Sequence, residues 1–224
     1  MFVLPTHFLF LFQDTPFSSN VSLKALTSQG KRFDVACRMM RASLINDGKR
    51  TGNSMTAVFK EKIDSNSCIV LSIDGENITD ENVKMQFGSE LITAKYLLSL
   101  IKNHKGFTEE ETITINTVDV KPETSFLDLV RSIKSNGSRI ALFHESGDFV
   151  FKGANRKLSM ENEKNVFEYV IIGNNQGFPP DVLENLLLLV DATFALGRKD
   201  IHDSGLLFSY LGSQVITLLN FFQN

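Results

Sequence analysis

At 224 residues, with 42% hydrophobic and 22% charged side chains, the chain has an ordinary globular composition and is long enough for one large domain or two small ones. That balance excludes a disordered chain, and the net charge of −3 argues against strong nonspecific nucleic-acid binding. The two cysteines, Cys37 and Cys68, form neither a CxxC metal pair nor a disulfide framework, which points to a reducing, cytoplasmic setting and to chemistry without a metal.

The opening "MFVLPTHFLFLF" is apolar but has no positive flank, no small-residue cleavage site and too few residues to span a bilayer. It reads as a buried first strand over 8–12, with no membrane anchor. Phe33, Ala36, Cys37, Met40 and Leu44 then recur at helical spacing and predict a helix with one apolar face. Polar residues 46–53 read as a loop before strands over 55–59 and 68–73. Leu91, Ala94, Leu97, Leu98 and Ile101 mark a second helix face. A loop over 105–111, a strand over 112–118 and a third face of Phe126, Leu129, Val130 and Ile133 follow. Strands over 139–143, 166–172 and 190–196 complete the pattern, with 153–164 as a loop. This alternation favours one α/β domain, a sheet with helices packed on it.

The last helix, beginning near His202, carries a stripe of Leu207, Leu211, Val215, Leu218 and Phe222, widened by Leu206, Tyr210 and Leu219. A face so broadly apolar is expected to be buried by the core or by a second copy of the chain.

Charge is unevenly distributed. Residues 1–60 hold eight Lys/Arg against three Asp, a balance of +5, while the rest holds 15 basic and 23 acidic residues, a balance of −8. A basic N-terminal face would receive phosphates; an asymmetric solvated surface accounts for the numbers equally well.

P-loop, GxGxxG, HExxH and GxSxG signatures are absent from the sequence. Three late segments end strands with turn residues: "IALFHESGD", "YVIIGNNQGFPPD" and "FALGRKDIH". Ligands in open parallel sheets bind beyond the carboxyl ends of the strands, so three such loops together would enclose a small molecule. Gly173 and Gly177 permit close backbone approach, although a glycine turn into a helix started by Pro179, Pro180 and Asp181 is the simpler reading. His144 and His202 have no evident metal partner, so capping or core roles suit them better. In "GKRFDVACRMMRA", Arg32 lies two residues before Asp34, and Asp34 four before Arg38, which puts Asp34 and Arg38 on one helix face. Such a pair is usually structural, and its position in the basic part of the chain lends weight to a binding role.

Taken in order, "SSNVSLKAL", "KRFDVACR", "FGSEL", "LFHESGD", "YVIIGNNQGF" and "FALGRKDIH" resemble the archaeal-type tRNA pseudouridine-54 N1-methyltransferase family, a branch of the SPOUT methyltransferases. "KRFDVACR" is similar to that family's RxDxxCR run, and the resemblance covers almost the whole chain.

The resemblance implies an open, mostly parallel α/β sheet with helices on both faces and a C-terminal trefoil knot over about 139–224, within one domain spanning 1–224. It implies S-adenosyl-L-methionine held by Phe143, His144, Gly173, Leu196, Gly197, Arg198, Lys199, Asp200, Ile201 and Leu206. Asp34 would handle or orient the target base, Arg32 would contact an anion or phosphate, and Lys31, Arg38 and Arg41 would hold RNA. The implied partners are tRNA and a second copy joined through the C-terminal helix.

Two departures bear on side-chain roles. Gly173-Asn174-Asn175 stands where the family often has Gly-Asp-His, and His202-Asp203-Ser204-Gly205-Leu206 stands where it often has His-Ala-Asp/Asn-His followed by Cys or Ala. Methylation of another RNA pseudouridine, or an idle RNA-binding homologue, are the alternatives these departures leave.

Overall fold

The computed structural model describes residues 2–13, 15, 22–24, 26, 32–60, 69–103, 125–149, 151–152, 157–158, 167–174, 177–195, 213, 215–217, 219 and 220. The first strand, β1 (Phe2–Gln13), leads to α1 (Phe33–Leu44), the two-residue strands β2 (Ile45–Asn46) and β3 (Lys49–Arg50), then β4 (Ser54–Lys60) and β5 (Ile69–Ile73). Helices α2 (Asp80–Phe87), α3 (Glu90–Asn103) and α4 (Phe126–Ser135) precede β6 (Ile140–Phe149). The short strands β7 (Phe151–Lys152) and β8 (Lys157–Leu158), then β9 (Phe167–Gly173), α5 (Pro180–Leu189) and β10 (Ala192–Ala195) follow.

Six strands form one sheet in the order β10-β6-β9-β1-β4-β5. All neighbours pair in parallel except β5, which runs antiparallel to β4. Parallel strands need helices on both faces, and β1 shows how the sequence meets that demand. Phe8, Phe10 and Phe12 turn toward the cluster that includes α1, α2 and α3 residues. Leu9 and Leu11 turn toward α4 and α5. All five are buried, each contributing about 1.5–3 kcal/mol relative to exposure. The expected α/β architecture, with helices on both faces, is therefore present.

The connections set where a ligand would sit. The crossover after β1 leads to β4 on one side, whereas that after β9 skips β6 and leads to β10 on the other. The connections diverge at the β1/β9 boundary, which is where open α/β sheets form a crevice at their carboxyl ends. Asp191 secures β10 beside β6: its N–H donates to Ile140 O at 2.9 Å, and its Oδ2 accepts from Ile140 N–H at 2.8 Å.

Several expectations are corrected. Residues 46–53 hold part of a hairpin, because Asp47 (φ 48°) and Gly48 (φ 71°) form the two-residue turn joining β2 to β3. Leu91 does not belong to the buried face of α3; it is 44% exposed, since the first turn directs Glu90 toward α1, where it meets Arg38. Residues 151–152 and 157–158, the latter within the expected 153–164 loop, pair as strands. The strand read over 139–143 continues to Phe149. Thr193 pairs with Leu142 but Phe194 pairs with Asp148, so 143–147 form a wide bulge. The strand expected over 112–118 and the loop over 105–111 lie outside the described residues, as does Cys68.

The described part of the C-terminal helix closes against this chain. Val215, Ile216 and Leu219 join the α1-side core. Asn220 donates to Ala42 O at 2.7 Å and accepts from Asn53 Nδ2 at 2.8 Å. Val215 is thus already buried by its own core, which removes it from the expected intersubunit stripe. Leu207, Leu211, Leu218 and Phe222 lie outside the described residues, as does the 196–212 segment that a knot would require. Among the described residues, no helix is long and apolar enough to cross a membrane.

His7 gives the sheet a pH dependence. Its Nε2 lies 2.8 Å from Thr56 Oγ1, which lies 2.9 Å from Ser72 Oγ, and its ring rests 5.1 Å from that of Tyr169. Burial lowers the His7 pKa to about 4, against a weaker upward pull from Asp74. Between pH 6.5 and 4 the unfolded chain accepts a proton that the folded chain refuses, so stability falls as pH falls through that window. Urea unfolding at pH 7 and 4.5 is expected to show wild type losing about 2 kcal/mol more than His7→Gln, which keeps a Thr56 partner but does not titrate. Equal losses in the two proteins would refute the assignment.

Candidate functional site

The carboxyl edge of the sheet gathers the sequence-predicted residues that the structure describes. In the ladder, Phe143 of β6 pairs with Ile172 of β9, which pairs with Phe10 of β1; one step further, Gly173 pairs with Leu11. Phe143 is a core residue whose ring lies 5.9 Å from that of Phe194. His144 follows it into the bulge. Its Nδ1 accepts the Ser146 N–H at 3.2 Å and lies 2.8 Å from Ser146 Oγ, so the ring proton of the neutral form sits on Nε2. Burial lowers the His144 pKa, partly opposed by Glu145, which favours this neutral donor form.

Two glycines shape this edge differently. A Cβ at Gly147 would lie 2.5 Å from Phe194 N and 2.6 Å from Thr193 C, so the bulge crosses β10 backbone with no room for a side chain. A Cβ at Gly173 would meet the Phe178 ring at 3.0 Å. The space beside Gly173 is therefore filled by an aromatic ring that also packs at 6.4 Å on Phe126. Asn174 is buried and its carbonyl accepts Gly177 N–H at 3.0 Å, with Gly177 at φ 74°. This is the expected glycine turn into a proline-started helix, since Pro180 opens α5.

Gln13, at the end of β1, was not singled out from the sequence. Its buried Nε2 has no hydrogen-bond partner among the described residues. The only signal was its place as the first amide after the apolar run.

The second group lies at the start of α1, and aromatic packing puts it at the same edge. The Phe33 ring is 6.4 Å from Phe59, whose ring is 5.1 Å from Phe12, and Phe12 and Phe59 pair near the carboxyl ends of β1 and β4. Just before Phe33, Arg32 adopts a left-handed backbone (φ 66°) and donates from Nε to Asp34 Oδ1 at 3.1 Å and from Nη2 to Oδ2 at 3.2 Å. Arg38 Nη2 also donates to Asp34 Oδ2 at 3.2 Å, realising the i,i+4 pair expected from spacing. Asp34 is buried with both oxygens engaged, while the Arg32 side chain stays 31% exposed. Cys37, on the same helix, is buried, and burial pushes its thiol well above the usual range, which makes it inert.

The basic N-terminal part is less available than its formal charge implies. Arg38 Nε donates to Glu90 Oε1 at 2.9 Å. Arg41 donates to Phe87 O at 2.7 Å and Gly88 O at 3.3 Å, tying α1 to the α2–α3 turn. Arg50 donates to Ile78 O at 3.3 Å. The +5 balance is thus partly consumed inside the fold. Lys31, Leu196, Gly197, Arg198, Lys199, Asp200, Ile201 and Leu206 lie outside the described residues, as do Asn175 and His202. Among the described residues, no cluster of His, Cys, Asp and Glu is arranged to hold a metal.

No family model matches the chain, and no curated protein matches it. Among solved structures, it is similar to a putative RNA methyltransferase of the TrmH family from Porphyromonas gingivalis, at 8% identity and a TM-score of 0.40, over 96% of this chain and 59% of that one. It is also similar to the SpoU methyltransferase AviRb from Streptomyces viridochromogenes, solved in complex with the cofactor AdoMet, at 12% identity and a TM-score of 0.40, over 97% of this chain and 60% of that one. The chain thus spans about three-fifths of the length of these two proteins.

The glycine geometry separates two substitutions by mechanism. Gly147→Ala sets a methyl group against backbone that cannot move alone, and a stability loss of about 2–4 kcal/mol is expected. Gly173→Ala meets the edge of a ring, which a small shift of Phe178 relieves, so a loss below about 1.5 kcal/mol is expected. Denaturant titration of both variants checks the order; a Gly147→Ala protein as stable as wild type would contradict the bulge.

Proposed function

We propose that this chain is a SPOUT-type, S-adenosyl-L-methionine-dependent RNA methyltransferase acting on N1 of pseudouridine in tRNA, with position 54 as the expected target. The observation that carries the reading is that two groups of expected site residues lie on the carboxyl side of one sheet. The RxDxxCR-like run supplies the Arg32–Asp34–Arg38 cluster at the start of α1, while His144 opens the bulge within β6 and Gly173 ends β9, which pairs with β1.

The described residues fit the methyl donor in kind. The orphan amide of Gln13, at the end of β1, and the neutral imidazole of His144, in the bulge of β6, are donors, and a purine nucleoside with an amino-acid tail offers acceptors for both. His144, Gly173 and the main chain after β10 would hold it, with 196–201 and Leu206 completing the clasp. When bound, S-adenosyl-L-methionine supplies an electrophilic methyl group. Side-chain contact from Phe143 is not part of this reading, because its ring is in the core.

Pseudouridine carries an N1–H where uridine has a C–H carbon, and this nitrogen must lose its proton to attack efficiently. Asp34 has both oxygens occupied by guanidinium donors, so its role here is to orient rather than to take the proton. It fixes Arg32, whose half-exposed cation would face the RNA and favour the ring in its deprotonated form. The target base must leave its stack to reach the edge, and Lys31 with the outer faces of Arg38 and Arg41 would steady the surrounding phosphates.

Calorimetry with S-adenosyl-L-methionine and methyl transfer to matched stem-loop RNAs test the proposal. Wild type is expected to bind the donor and to methylate the RNA containing pseudouridine while leaving the uridine counterpart unmodified. A well-folded chain that binds no donor removes the methyltransferase reading; equal methylation of both RNAs removes the pseudouridine claim. Asp34→Asn keeps the size but weakens a charged hydrogen bond to Arg32, so turnover is expected to fall about 10–100-fold with donor affinity little changed.

A further inference from the structure

Asp34 is the middle of a longer chain of alternating charge. Glu90, at the first position of α3 and 52 residues from Arg38 in sequence, accepts from Arg38 Nε at 2.9 Å. Arg38 then reaches Asp34 through Nη2, and Asp34 receives Arg32 through both oxygens. The order is therefore Glu90, Arg38, Asp34, Arg32, alternating negative and positive, with a buried carboxylate in the interior and a half-exposed guanidinium at the end.

Asp34 Oδ2 is shared by both arginines, which makes the arrangement competitive. A carboxylate pairs best with one guanidinium fork at a time. Arg38 meets Asp34 through Nη2 while its Nε is held by Glu90 on the neighbouring helix. With Glu90 neutralised, the charge-assisted bond to Nε becomes a weaker neutral one, and Arg38 is freer to swing its fork onto Asp34 in place of Arg32. Arg32 would then lose the bidentate contact that holds its side chain against a left-handed backbone.

We propose that Glu90 is a positioning residue: by restraining Arg38 it reserves Asp34 for Arg32, and so fixes the guanidinium that meets the RNA. The last clause rests on the RNA-binding reading above; the restraint on Arg32 does not. Glu90 is partly exposed, and Glu90→Gln is close to isosteric, so the variant folds and the role is read in solution.

The first readout is solvent exchange of the Arg32 Nε–H, followed by nuclear magnetic resonance and assigned by its disappearance in Arg32→Lys. Glu90→Gln is expected to speed this exchange about tenfold. Leu98→Ala, which loosens the packing of α3 without touching the ion chain, is expected to leave it unchanged. The second readout is affinity for a pseudouridine-containing stem-loop RNA, expected to fall about fivefold in Glu90→Gln and to hold in Leu98→Ala. Unchanged Arg32 exchange in Glu90→Gln, or an equal change in Leu98→Ala, overturns the proposal. If exchange responds as expected while wild type binds no RNA, the restraint stands and the RNA reading falls.

Discussion

The central strand β1 is covered on both faces, and that constraint places everything else. Phe8, Phe10 and Phe12 fill one side while Leu9 and Leu11 fill the other, so over 8–12 both faces of the strand are apolar and the unpartnered amide of Gln13 stands only at its carboxyl end. The one imidazole within this region, His7, is accommodated by a hydroxyl relay through Thr56 and Ser72 on the neighbouring strands. Chemistry is thereby displaced to the strand ends, and the divergence of connections at β1 and β9 selects which end offers a crevice.

The elements legible in the sequence were those whose pattern is local. Continuous apolar runs marked β1, β4 and β9, and the i, i+3, i+4 spacing of Phe33, Ala36, Cys37, Met40 and Leu44 marked the buried face of α1. The hairpin over β2 and β3 was also locally encoded, in Asp47-Gly48, but two-residue strands are too short to show alternation. Helix α2, "DENVKMQF", carries no legible stripe, because only Val83 and Phe87 turn clearly inward. The bulge in β6 was not legible at all: it is set by β10, some fifty residues later, crossing at Gly147. Strand order is likewise a property of the assembled sheet.

The candidate site divides the same way. Asp34 and Arg38 were predicted to meet from their spacing, and they do. Glu90 could not be associated with them, because its contact with Arg38 exists only once α3 packs on α1. A cluster of basic residues in sequence says nothing of where each guanidinium points, and here Arg38, Arg41 and Arg50 make inward bonds to carboxylates or to helix-terminal carbonyls. A cation bonded to backbone carbonyls near a helix end stabilises the helix pair first and contributes less to a diffuse field.

Departures from regular geometry occur at both edges of the sheet. At or beside the carboxyl edge, Arg32 holds a left-handed backbone without being glycine, residues 144–147 leave the ladder, and Gly177 turns with positive φ. Toward the amino edge, positive φ falls at Gly48, Gly52 and Gly137, which suit it, and at Asp47 in a tight hairpin turn. The strained backbone at Arg32 costs on the order of 1–3 kcal/mol and persists only where its surroundings over-determine it. Two hydrogen bonds to a buried carboxylate, itself held by a second arginine, are such surroundings. A fold needing only a helix start at position 33 is served by a serine or aspartate cap, whereas this one places an arginine there, whose side chain is held by Asp34 and stays 31% exposed.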